Sequence, residues 1–164
     1  MFSVDYVELF RSVPEGLATF LIATIPVAEL RVSIPVALSS FDMTWVSAYF
    51  FSVLGNIFPI IFLLWWLEPI SKFLSRHFKI MAKFFNWLFD RTRKKHSQKF
   101  DKWGAIALIT FVAIPLPITG GWTGAAAAFV FGIPFKKALP WIFLGILIAG
   151  IIVTVASLGF ISIF

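Results

Sequence analysis

The sequence predicts an all-α integral membrane protein. It reads as an inverted repeat of two units, each a re-entrant hairpin followed by a transmembrane helix, joined by a basic amphipathic cytoplasmic helix. Three observations predict this. Of the 164 residues, 60% are hydrophobic and only 13% charged, whereas soluble domains are nearer half apolar and a quarter charged. A chain of this size cannot bury so much apolar surface in its own core, so lipid must solvate the rest. Four hydrophobic blocks stand out, at residues 17–41, 44–67, 105–132 and 139–164. Their proline and glycine punctuation also repeats: Ile25-Pro26-Val27 matches Ile114-Pro115-Leu116, and Leu54-Gly55 matches Leu144-Gly145, at offsets of about 90 residues.

The N-terminal segment, residues 1–16, is acidic and reads as interfacial. It carries Asp5, Glu8 and Glu15 against Arg11. Met1 to Asp5 lack the basic start of a signal peptide, so the first hydrophobic block is expected to stay in the protein. Ser12-Val13-Pro14-Glu15 fits a capping box, with Ser12 as N-cap and Glu15 reaching back.

The first block, 17–41, is predicted to be a hairpin. Pro26 and Pro35 bracket eight residues expected to be extended. The arm before Pro26 spans roughly 13–15 Å as helix, about half of the ~30 Å hydrocarbon core. Irregular backbone at that depth is tolerated only inside protein or beside a wet cavity. The second block, 44–67, is long enough for about 36 Å of helix and reads as a full span, as does 139–164. Each holds a proline, Pro59 and Pro140, that neighbouring helices can accommodate. The third block, 105–132, has Pro115, Pro117, Gly120, Gly121 and Gly124 within ten residues, which predicts a second hairpin.

Between the halves, residues 69–102 hold ten of the 14 Lys and Arg. Basic loops stay on the cytoplasmic side, which places this stretch inside the plasma (inner) membrane and the acidic N-terminus outside. Lys136 and Lys137 then fall inside. Lys72, Arg76, Lys79 and Lys83 recur at helical spacing, opposite Phe73, Phe78, Met81, Phe84, Phe85 and Leu88. That pattern suits a helix lying on anionic inner-leaflet lipids, or one packed on the bundle. Nucleic acid is not an expected partner, because the basic stretch sits between membrane segments. The alternative topology makes every block a full span and puts Lys136 and Lys137 outside. Small residues at Gly124, Ala128 and Gly132, and at Gly145 and Ala149, offer close-packing faces and predict at least a homodimer.

Glu29 and Arg31 are the only charges inside any hydrophobic block. A charge at membrane depth costs at least ~2.5–3.5 kcal/mol on insertion scales and is by default a functional hypothesis. On extended backbone, positions i and i+2 point the same way. Glu29 is read as a proton-coupling residue, since burial disfavours its charged form, and Arg31 as the holder of an anionic group. The competing reading is that the two pair with each other, or tie down the hairpin tip. The second hairpin offers Thr119, Gly120, Gly121, Trp122 and Thr123 as substrate-binding groups, through hydroxyls, an indole and a nest of backbone amides. Close packing explains its small residues equally well. Asn56, polar in mid-span, is a further binding candidate or an interhelical hydrogen bond.

There is no cysteine, hence no disulfide or thiolate site. His77 and His96 are isolated, with no metal spacing. No phosphate loop, nucleophile elbow or carboxylate pair is present, so neither an enzyme nor a cofactor is expected. The remaining functions are a proton-coupled transporter or lipid flippase with its site where the hairpin tips meet, or a non-transporting scaffold, assembly or insertion factor. Charge at Glu29 and Arg31 separates them, since a scaffold has little use for it.

Residues 26–35 (PVAELRVSIP), Gly55-Asn56, and Phe111-Val-Ala-Ile-Pro-Leu-Pro with Gly120-Gly121-Trp122-Thr123-Gly124 resemble the small multidrug export family over most of residues 18–155. That family is similar to the wider DedA (VTT-domain) superfamily of re-entrant-loop membrane proteins. The resemblance implies export of small molecules, or proton-linked flipping of phospholipids or polyprenyl-phosphate carriers. It maps the superfamily's intramembrane acid onto Glu29 and its neighbouring base onto Arg31. The chain departs from the family at Ile118 and Gly121, where Gly and Ala are usual. It also lacks the second-loop arginines of DedA proteins, having no basic residue between Lys102 and Lys136.

Overall fold

A computed structural model describes residues 13–80, 82–83, 98–116 and 119–163. Among these the chain is helical, with no strand. The helices are α1 (Glu15–Thr24), α2 (Glu29–Ser39), α3 (Trp45–His77), α4 (Gln98–Ala113), α5 (Gly121–Val130) and α6 (Phe135–Ile163). Among the described residues only α3 and α6, at 33 and 29 residues, are long and apolar enough to cross a membrane. Their outward faces carry Trp45, Phe50, Trp65 and Trp66 on α3 and Ile151, Val155 and Phe160 on α6, all more than half exposed. Apolar surface on this scale is stable only against lipid or protein, and on helices of this length it points to a membrane protein.

Each of the other hydrophobic blocks breaks into two short helices. The first gives α1 and α2, of 10 and 11 residues, which pack against each other. The break between them is tight, with the Ala28 and Glu29 amides both donating to the Ile25 carbonyl. Contrary to the expectation of extended backbone, Glu29 already opens α2, and Pro35 lies inside that helix. Proline removes one backbone bond there, a defect that packing of α2 against α1 can carry. The expected capping box at Ser12 is also corrected. Helix α1 begins at Glu15 with Pro14 as N-cap and no side-chain cap, the first turn closing from the Ala18 amide to the Pro14 carbonyl at 2.9 Å. A proline entry needs no hydroxyl to fix its backbone.

The third block gives α4 and α5, also packed together. Helix α5 stops at a Schellman turn. The Ile133 amide donates to the Ala128 carbonyl and the Gly132 amide to the Phe129 carbonyl, with Gly132 at φ +67°. Gly132 therefore ends the helix and is not the packing residue its spacing suggested. The first span also runs ten residues past Leu67, to His77. Met81 and residues 84–97 of the basic amphipathic segment lie outside the described residues, as do residues 1–12.

The chain forms two compact units. The first comprises Met1–Pro59 and Ile146–Phe164, the second Ile60–Gly145. Each long helix thus contributes to both. In the first unit, the Tyr49 hydroxyl on α3 donates to the Leu147 carbonyl of α6 at 3.1 Å, and Gly150 gives its ring room, since a Cβ there would come within 2.7 Å of Cε2. Buried hydroxyls are largely satisfied by their own helices. Thr19 donates to the Glu15 carbonyl and Thr154 to the Gly150 carbonyl, the i−4 arrangement available to a hydroxyl with no water nearby.

One contact recurs in both units. Gly55 of α3 abuts the Phe20 carbonyl and Ala23 of α1, and Gly145 of α6 abuts the Ile109 carbonyl and Val112 of α4. The short-helix partners are 89 residues apart and the glycines 90, the same offsets as the repeated punctuation. The repetition in sequence thus corresponds to a repeated local packing: a glycine in each long helix lets it approach the backbone of a short one.

Candidate functional site

The polar groups of the first unit collect where α2 meets α3. The two helices are joined by five residues, and the Ser33 hydroxyl of α2 donates to the Ser52 hydroxyl of α3 at 2.8 Å, both fully buried. Ser33 lies six residues before the end of α2 and Ser52 seven after the start of α3. With so short a connection, that spacing makes the helices antiparallel. One helical turn further from the connection stand Glu29 on α2 and Asn56 on α3, both buried at 4% and 1% exposure. Helical spacing therefore puts Glu29, Ser33, Ser52 and Asn56 along one interhelical seam.

Glu29 and Arg31 form an ion pair, Arg31 Nη2 donating to Glu29 Oε2 at 3.2 Å. In a regular helix i and i+2 do not face each other. The pair forms because Glu29 has φ +46°, a left-handed conformation costing a non-glycine residue roughly 1–2 kcal/mol. That backbone turn, at the first residue of α2, swings the carboxylate toward Arg31. The guanidinium is 19% exposed and the carboxylate 5%. Strained backbone supporting a charged pair is commonly found at working sites. At the other side of the seam, the Asn56 Oδ1 is buried with no hydrogen-bond partner. A buried acceptor without a donor is uncommon and calls for a reason.

Sequence reasoning singled out Glu29, Arg31 and Asn56, and all three lie in this unit. It missed Ser33 and Ser52. Both sit one turn from a residue it did name, Ser33 from Glu29 and Ser52 from Asn56, and that i, i+4 relation was the available signal.

The remaining candidates belong to the second unit, in the turn before α5. The Thr119 hydroxyl donates to the Ile114 carbonyl and accepts from the Leu116 amide, and the Thr119 amide donates to the Leu116 carbonyl. These bonds close the turn. Gly120 is the N-cap of α5, its carbonyl accepting from the Gly124 amide and the Thr123 hydroxyl. Gly121 and Gly124 are buried, and Gly124 lies directly against Val112 of α4. Trp122 is half-buried. Pro117 and Ile118, at the crest of the turn, lie outside the described residues. Among the described residues no group of His, Cys, Asp and Glu could hold a metal ion.

Residues 29–152 match the family described as "Putative small multi-drug export protein". No curated protein and no solved structure matches the chain.

Proposed function

The chain belongs to the small multi-drug export family, and from that premise we propose that it is a membrane transporter for a small amphiphile, coupled to protons through Glu29. The observation that carries this reading is the Glu29–Arg31 pair, held by a left-handed backbone, with Glu29 the one charged residue buried among the described residues. A charged pair in such surroundings is expensive to bury, and an intramembrane acid is a default functional hypothesis. Protonation of Glu29 would weaken its hold on Arg31 and give it an O–H to donate. The unpartnered Asn56 Oδ1 across the seam is an acceptor available to that O–H or to a polar group on the substrate. With that hold weakened, Arg31 could receive an anionic group of the substrate. The chain's role in this reading is transport, with no catalytic step.

The two helix–break–helix segments, 15–39 and 98–130, support a re-entrant reading; the charge pattern of the sequence is what assigns them opposite orientation, as in many secondary transporters. The natural absence of cysteine makes topology direct to measure. Single cysteines replacing Ser3 and Ser40 are expected to label from outside the plasma membrane, and one replacing Lys136 from inside. Labelling of Ser3 and Ser40 from opposite sides would make the first block a full span.

Transport is tested in proteoliposomes loaded with a fluorescent amphiphilic drug, with and without a pH gradient, alongside vesicles carrying a labelled phospholipid. Gradient-dependent movement of the drug is the expected result. Movement of the phospholipid alone would make the protein a flippase. No movement of either would remove the transport reading.

A further inference from the structure

The second unit contains a groove of about 510 Å³ between α4 and α5. Trp103, Ala107 and Phe111 form one stripe of its wall, and Phe131 and Ile133 close it from the end of α5. The stripe extends ~12 Å along the helix axis, close to the depth of one leaflet of a ~30 Å hydrocarbon core. Ala107 and Ala127 leave the middle of the groove hollow, while Trp103, Phe111 and Phe131 form its rims. Its lining is apolar throughout, whereas the positions at one end are cationic. Lys99 and Lys102 precede Trp103 on α4. Lys136 and Lys137 follow Ile133 in the first turn of α6, and both are exposed. Since α5 ends beside the start of the α4 stripe, these four positions mark the same end of the groove.

We infer that this groove seats one acyl chain of an anionic phospholipid, with the phosphate head at the lysine end beside Trp103. An apolar trough one leaflet deep fits a lipid tail, and lysines at its mouth select the head. Tryptophan at the head–tail boundary is the usual membrane-interface placement, and the exposed Lys136 and Lys137 can keep their ammonium groups in the head region. The groove lies wholly within the second unit, and the polar seam within the first.

The full-length protein in zwitterionic detergent, titrated with dibrominated phosphatidylglycerol or dibrominated phosphatidylcholine, provides the test. Bromine on the acyl chain quenches nearby indoles, and the Trp103 contribution is isolated by difference against Trp103→Phe. Phosphatidylglycerol should quench Trp103 at lower mole fraction than phosphatidylcholine, each lysine being worth roughly fivefold in affinity. Lys136→Gln with Lys137→Gln should erase most of that preference. Ala107→Phe, which fills the hollow from an exposed position, should abolish preferential quenching. Ala126→Phe, exposed on α5 and off the groove, should leave it intact. Equal quenching by the two lipids would mean annular lipid only and would overturn the inference. So would unchanged preferential quenching in Ala107→Phe, or its loss in Ala126→Phe.

Discussion

Replacing Gly55 with valine is expected to leave almost no folded protein, and replacing it with alanine to destabilise the chain by about 3 kcal/mol, the upper end for overpacking a tight core. In most helices the change from glycine to alanine would stabilise by ~1 kcal/mol, because glycine loses the most backbone freedom on folding. Here the added Cβ would run into the backbone carbonyl of Phe20 and come within 2.8 Å of the Ala23 Cβ. Neither obstacle is the end of a flexible side chain. Relief requires α1 to move away from α3, and α1 packs on α2, which carries the ion pair. Gly145→Ala should fall between, with the Val112 Cβ at 2.7 Å and the Ile109 carbonyl at 3.0 Å from the new methyl. Gly159→Ala, with nothing within 4 Å, should be neutral or stabilising. The measurement is thermal inactivation of purified protein in detergent, scored by monodisperse elution after heating. The order Gly55 worst, Gly145 next, Gly159 unaffected follows from steric geometry alone. A Gly55→Ala protein as heat-resistant as the parent would mean that the close approach of α1 and α3 is absent.

Much of this arrangement was readable from composition and punctuation. The two long apolar runs around Gly55 and Gly145 became the two helices long enough to cross a membrane, because length and hydrophobicity alone decide that property. The breaks after Thr24 and Ala113 fell beside Pro26 and Pro115, where the missing amides make a continuous helix unfavourable. The offset of Ile25-Pro26 from Ile114-Pro115 marked a repeat whose structural counterpart is the glycine contact. What could not be read was local conformation within the break. Pro35 looked like the far edge of an irregular segment, yet it sits in α2, since the packed partner α1 outweighs a single lost hydrogen bond. Gly132 shared a four-residue spacing with Gly124 and Ala128, but spacing does not report φ, and a left-handed C-cap requires glycine for a different reason. The ends of α3 and α4 were displaced into the basic segment because charged side chains do not stop a helix when its propensity is good.

The site was legible as residues and not as geometry. Rarity alone pointed to Glu29 and Arg31, as the only charges in apolar blocks. Their pairing is one of two readings of the sequence, and the extended backbone expected to aim both at one cavity is a helix. The pair forms by another route, the φ of +46° at Glu29, and nothing in Val27-Ala28-Glu29-Leu30 announces it. Ser33 and Ser52 escaped notice because serine is common in membrane helices and only the antiparallel register of α2 and α3 brings these two together. Thr119 is the reverse case. It is singled out by being polar beside glycines, and the sequence does not announce that its hydroxyl also closes the turn.

The decisive experiment on mechanism concerns Glu29. Glu29→Gln keeps the shape and hydrogen-bonding capacity of the protonated acid but cannot release a proton. Drug movement driven by a pH gradient should drop at least about tenfold, corresponding to ~1.4 kcal/mol of lost driving interaction or more, while binding of the drug persists. Arg31→Lys keeps the charge and loses the fork geometry, so it should weaken an anionic amphiphile more than a neutral one. A purely structural pair would behave otherwise. Removing either partner would then cost ~3–5 kcal/mol and lower folded yield, and Glu29→Gln combined with Arg31→Met would restore yield and transport together. Glu29→Gly separates the two accounts further. Glycine accepts a φ of +46° without strain, returning roughly 1–2 kcal/mol against the lost ion pair. Under the coupling account, Glu29→Gly remains folded in useful amount and is inactive in gradient-driven transport. Well-folded Glu29→Gln that still responds fully to the pH gradient would end the assignment of Glu29 as the proton carrier, and would leave the pair as a clasp that holds α2 in register.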